Sequence, residues 1–78
     1  MPQGLSNWTF RDIQDFLLSH DFSLHHVRGS HYYFKRYKGN RFYMTHVQYH
    51  GSKSIPEGTL HAIIRQSGIP QNEWLQKL

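Results

Sequence analysis

A lone histidine follows a Gly-Ser pair at Gly29-Ser30-His31 and heads the run HYYFKRY. Imidazole ordinarily titrates near ~6.5, so its neutral form can take a proton from a ribose 2′-hydroxyl and return one to a departing oxygen. Cations beside it, Lys35 or Arg41, would hold the negative charge that develops on a phosphoryl group. Proton transfer of this kind is worth roughly 10²–10⁴-fold. A histidine on a strand can equally be a plain surface group, and spacing alone leaves His31 open between contact and catalyst.

Its neighbours narrow the chemistry. Alternation along an extended segment sets His31, Tyr33 and Lys35 on one face and Tyr32, Phe34 and Arg36 on the other. Phe34 is the core candidate, and Phe42 and Met44 are expected to share its side. His31, Tyr33 and Lys35 would then look outward beside Arg41, Tyr43 and Thr45. Phenols stack unpaired bases while cations hold phosphates, which is how a sheet grips single-stranded RNA.

Charge points the same way. The formal net charge is +4, yet Asp12, Asp15 and Asp21 precede Phe22 and the next acid is Glu57. The acid-free stretch between them carries Arg28, Lys35, Arg36, Lys38, Arg41, Lys53 and five of the seven histidines. A phosphate-rich partner favours such a segment, the plain alternative being a basic face kept for solubility.

Other chemistries fit poorly. His46 and His50 are four apart, a ligand spacing on a helix, but here they fall on a strand leaving into a loop. Four strand residues span roughly 13 Å, too far for two ligands each ~2.1 Å from one zinc ion. No metal and no cofactor is expected. Ser30 adjoins His31, but adjacent strand side chains diverge and no third group completes a hydrolytic triad. The absence of cysteine removes disulfides and thiolate zinc sites and suits a reducing compartment. The opening MPQGLSNWTF has neither a basic n-region nor an apolar h-region, and apolar runs stop at three residues, as in FLL and AII, if tyrosine is left out. No signal peptide and no membrane span is expected, and the predicted location is the cytoplasm.

Seventy-eight residues predict a single domain whose core leans on five Phe, five Tyr and two Trp. After a short flexible start at 1–6, Thr9 and Asp12 form a capping box and Trp8 can staple onto Ile13, predicting a helix over about 10–20. FSLHHVR reads as a strand with Phe22, Leu24 and His26 on one side. RGS and KGN are turns, and HYYFKRY and RFYMTHV are two further strands. SIPE reads as a second capping box, with Ser54 as cap, Glu57 answering and Pro56 in the first turn. Leu60, Ile63 and Ile64 make that helix's buried stripe, and Gly68 and Pro70 end it. A last helical turn is expected at about 71–78. The predicted fold is α+β, α-β-β-β-α, with a three-stranded antiparallel sheet and two helices on one face.

With these motifs in order, VRGSHYYF, HVQYHG and GTLHAIIRQSGI, the chain resembles the HicA toxins, the RNA-cleaving halves of HicA–HicB toxin–antitoxin pairs. The resemblance runs from about Asp21 to Leu75. It implies a double-stranded-RNA-binding-domain-like fold and a metal-independent endoribonuclease acting on mRNA, with His31 as the catalytic group. Gly29 would shape the turn and Gly58 would sit where a side chain obstructs packing. RNA contacts would come from Arg28, Ser30, Tyr33, Lys35, Arg41, Tyr43 and His50. The implied partner is a HicB-like antitoxin. Two departures stand out: Asp21 replaces a glycine common in the family, and VQYH lacks the proline that often precedes the downstream histidine. A non-catalytic single-stranded RNA-binding module is the alternative. Duplex binding is disfavoured, since only Lys53 stands near the start of the last long helix.

Overall fold

The computed structural model describes residues 4–75. The elements are α1 (Phe10–Ser19), β1 (Ser23–Arg28), β2 (His31–Lys38), β3 (Arg41–Gln48), α2 (Glu57–Ser67) and α3 (Gln71–Leu75). The strands form one antiparallel sheet in the order β1-β2-β3, and α1 and α2 pack on one face of it. This is the predicted α-β-β-β-α arrangement. Residues 1–3 of the expected loose start and 76–78 of the expected closing turn lie outside the described residues.

α1 starts as its sequence dictates. The Thr9 hydroxyl accepts from the Asp12 N–H at 3.2 Å, and the Asp12 carboxylate accepts from the Thr9 N–H at 2.9 Å. Phe10, Ile13, Phe16 and Leu17 are buried, while Leu18 points to solvent. After the helix Asp21 takes the left-handed conformation, φ 70°, and the Phe22 N–H donates to the Leu17 carbonyl at 3.1 Å.

The second capping box does not form. Ser54 is drawn into a bridge with Thr9, and the Ile55 N–H donates to the Trp8 carbonyl at 2.7 Å. α2 therefore begins at Glu57 with Pro56 at its N-cap and no side-chain cap. Glu57 accepts instead from the Ser6 hydroxyl, at 3.0 Å. The other end behaves as predicted: Gly68 closes α2 at φ 72°, where a Cβ would also strike the Tyr43 ring.

The core is aromatic at one end and aliphatic at the other. Phe16 and Trp74 stack at 4.0 Å, with Trp8 edge-on to Phe16 at 5.9 Å. Leu60, Ile63 and Ile64 meet Phe34 and Val47 from the sheet.

Register decides which strand residues join that core. Two-residue turns at Gly29-Ser30 and Gly39-Asn40 join the strands, with Gly29 at φ 59° and Gly39 at φ 60°. The second turn sets Phe34 opposite Thr45, Arg36 opposite Tyr43 and Tyr32 opposite Val47. Directly opposed residues share a face, so Tyr43, Thr45 and Val47 are under the helices and Phe42 and Met44 are not. The expected parity of β3 is thus reversed. In β1 a register shift between Leu24 and His26 also breaks the expected row: His26 opposes Tyr33 on the open face, and Leu24 opposes Phe34. Leu24 nevertheless stays half exposed, because β1 is an edge strand exposed along its whole length.

Candidate nucleic-acid interface and active site

The open face is built from rows that cross all three strands. The first row is Arg28, His31 and Gln48, and the second is His26, Tyr33 and His46. Lys35 follows between Ser23 and Met44. The second row is a stack: His26 lies 4.3 Å from Tyr33 at an interplanar angle of 9°, and Tyr33 lies 5.2 Å from His46 at 22°. His31 meets the end of this stack, its ring centroid 5.4 Å from that of His46.

His31 is held by the turn before it. Ser30 offers its carbonyl to the Tyr49 N–H at 2.7 Å and its hydroxyl to the Gln48 side-chain amide at 3.4 Å, tying the turn to the end of β3. The His31 ring is half-buried, and its Nδ1 is closed off from solvent with no hydrogen-bond partner. Nε2 has no such closure. Arg28, directly opposite, is exposed and supplies the nearest cation on a neighbouring strand.

Beyond β3, exposed His50 lines a groove of about 340 Å³ between β3 and α2, together with His46, Gln48, Thr59, Ala62 and Gln66. His46 therefore belongs both to the sheet surface and to the groove. No group of three or more His, Asp or Glu side chains converges as metal ligands among the described residues.

A family model described as the HicA toxin of bacterial toxin–antitoxin systems matches residues 10–69. The chain belongs to the HicA toxin family. No curated protein and no solved structure matches it significantly. The match takes in α1, the whole sheet and α2, and with them the His31 turn, while α3 lies outside it. This HicA toxin is thus the toxin of a toxin–antitoxin system, with an antitoxin for a partner. None of its described helices is long and apolar enough to cross a membrane.

Several expected site residues of the toxin come together and others do not. Arg28, Tyr33, Lys35 and His31 share the open face, with Ser30 in the adjoining turn. Tyr43 does not: register turns it under the helices, where its ring lies 5.2 Å from the Arg36 guanidinium. Arg41 sits opposite Lys38 at the far turn, seven residues along the sheet from the Gln48 that opposes His31, or roughly 23 Å. It cannot hold charge on a phosphoryl group at His31. Gly58 is exposed with open space around any added Cβ, so packing does not require a glycine there. His26 and His46 were absent from the sequence-based site. The length of the Gly39-Asn40 turn contains the signal for His46, since counting outward from a two-residue turn sets it opposite Tyr33.

Proposed function

We propose that this HicA toxin is a metal-independent endoribonuclease that cleaves mRNA with His31 as general acid/base, needs no cofactor, acts in the cytoplasm and is neutralised by a HicB-like antitoxin. The observation that carries the reading is the His31 ring on an acid-free open face, opposite Arg28 and within the family's Gly-Ser-His motif. Neutral Nε2 takes the 2′-hydroxyl proton as that oxygen attacks phosphorus, and Arg28 holds the charge that accumulates on the non-bridging oxygens. Tyr33, covered on both faces by His26 and His46, offers its hydroxyl to the strand, and Lys35, one row on, pairs with a flanking phosphate. Ser30 and His50 contact the strand at either side of the His31 row. Arg41, on Tyr43's side of β3 and at the far turn, takes no part in this surface.

The test incubates purified toxin with an RNA containing paired and unpaired regions in EDTA, beside His31→Ala, with fragments resolved on a denaturing gel. We expect cleavage by the native chain and a loss of roughly 10²–10⁴-fold or more in the variant. Equal cleavage by both would remove His31 from the chemistry. The stacked row of His26, Tyr33 and His46 also suits a binding-only module. Salt-sensitive RNA binding without cleavage by either protein would establish that second reading instead.

A further inference from the structure

In-line displacement at phosphorus places the attacking and leaving oxygens on opposite sides of the reacting atom. The half-buried His31 ring, with Nδ1 closed off, has one nitrogen to offer and cannot attend to both oxygens at once. A second proton-transfer group has to stand close by. The ring that does so is His46, exposed on the same face, 5.4 Å from His31 and tilted 46° to it. Two nitrogens that each come within ~2.6–3.2 Å of their own oxygen can serve the two sides of one phosphoryl group from rings so arranged.

We propose that His46 is the second proton-transfer group of this site, protonating the leaving 5′-oxygen while His31 takes the proton of the 2′-hydroxyl. This rests on the ribonuclease reading above. As the bond from the 2′-oxygen to phosphorus forms, the hydroxyl proton passes to His31 Nε2. As the bond from phosphorus to the 5′-oxygen breaks, the His46 imidazolium gives its proton to that oxygen. The products are a 2′,3′-cyclic phosphate and a free 5′-hydroxyl. His31 ends protonated and His46 neutral, and exchange with water resets the pair.

The surroundings of His46 leave it this task. Across the sheet it faces His31 and Tyr33, and in the groove it shares walls with His50 and with Thr59, Ala62 and Gln66 of α2, none of the three charged. Tyr33 is engaged as the middle ring of the stack, and Lys35 lies in the next row.

The experiment compares native toxin, His31→Ala, His46→Ala and His46→Gln on two oligoribonucleotides. One has the ordinary linkage at a position the native toxin cuts, and the other has sulfur in place of the 5′-bridging oxygen there. A thiolate leaves without being protonated, so loss of a leaving-group acid is forgiven on the sulfur linkage alone. We expect both His46 variants to lose roughly 10²–10⁴-fold on the ordinary linkage and less than a few-fold on the sulfur one. His31→Ala should fail on both. The pH–rate profile of the His46 variants should keep its acidic limb and lose its alkaline limb. Equal losses on both linkages would overturn the proposal and make His46 a binding or packing residue. So would native rates in the His46 variants. Matching circular dichroism melts exclude misfolding as the cause of a loss, and the Gln variant repeats the comparison with a side chain of similar size. A native toxin that cuts neither oligonucleotide would overturn the ribonuclease reading itself, and the proposal with it.

Discussion

Arg36 is a cation that the sheet turns inward. Its guanidinium lies 5.1 Å from the Phe22 ring and 5.2 Å from the Tyr43 ring. It donates to the His20 carbonyl at 3.3 Å and the Ser67 carbonyl at 3.5 Å, at the negative ends of α1 and α2. A planar, delocalised cation suits this place, because it stacks on two rings while its fork spans two helix ends. Arg36→Lys keeps the charge but loses the plane and the fork, so it should lower stability by about 1–3 kcal/mol in urea unfolding. RNA cleavage by the surviving folded fraction should be unchanged, since Arg36 faces away from His31. A melt indistinguishable from native would show that charge alone is what the site needs. Alternation in the sequence already places Arg36 beside Phe34. It cannot say that the side chain is buried, because parity assigns a face and not the depth of what covers it. The same parity reading put His31, Tyr33 and Lys35 outward, and there the structure agrees.

Asp21 shows what an element junction asks of one position. With φ at 70° it turns the chain from α1 into β1, in a conformation that disfavours every side chain and that Asp bears better than most. Asp21→Gly should raise stability by up to about 1 kcal/mol, the gain being trimmed by glycine's greater freedom when unfolded. Thermal unfolding checks it, and a lower midpoint would mean that the carboxylate stabilises the junction by more than its strain. At this scale legibility was uneven for physical reasons. The Thr9–Asp12 box formed although Thr9 also bridges Ser54, whereas Ser54 stands two residues before Pro56, the N-cap of α2, and is out of capping position. The shift beside His25 has no local signature, so the side on which His26 emerges could not be read. The β3 register could have been. A two-residue turn fixes every pairing in the hairpin, and matching Phe34 with Phe42 and Met44 by hydrophobicity overrode that count.

Over the whole molecule the charges separate. Asp12, Asp15, Asp21, Glu57 and Glu73 all lie in the helices or at their ends, and the sheet carries no carboxylate. The field over the open face is therefore unopposed, and an RNA strand and an antitoxin with acidic side chains would compete for it. RNA held by His31→Ala toxin should be displaced stoichiometrically by the cognate antitoxin, as followed by fluorescence anisotropy, and less completely as salt is raised. A stable ternary complex would show that the antitoxin inhibits from another face. There is a final consequence in how the hairpin of β2 and β3 is made. His31, Tyr33, His46 and Gln48 meet through pairings inside one hairpin, at the end away from its turn, whereas the stacked Trp8, Phe16 and Trp74 join the two ends of the described chain. The groups proposed to cut thus stand apart in the sequence from the aromatic end of the core. With His31 as the catalytic group proposed above, a lineage burdened by this toxin would blunt it by one substitution there and keep a well-folded remnant, which would still occupy the antitoxin and so leave any intact sister toxin less restrained.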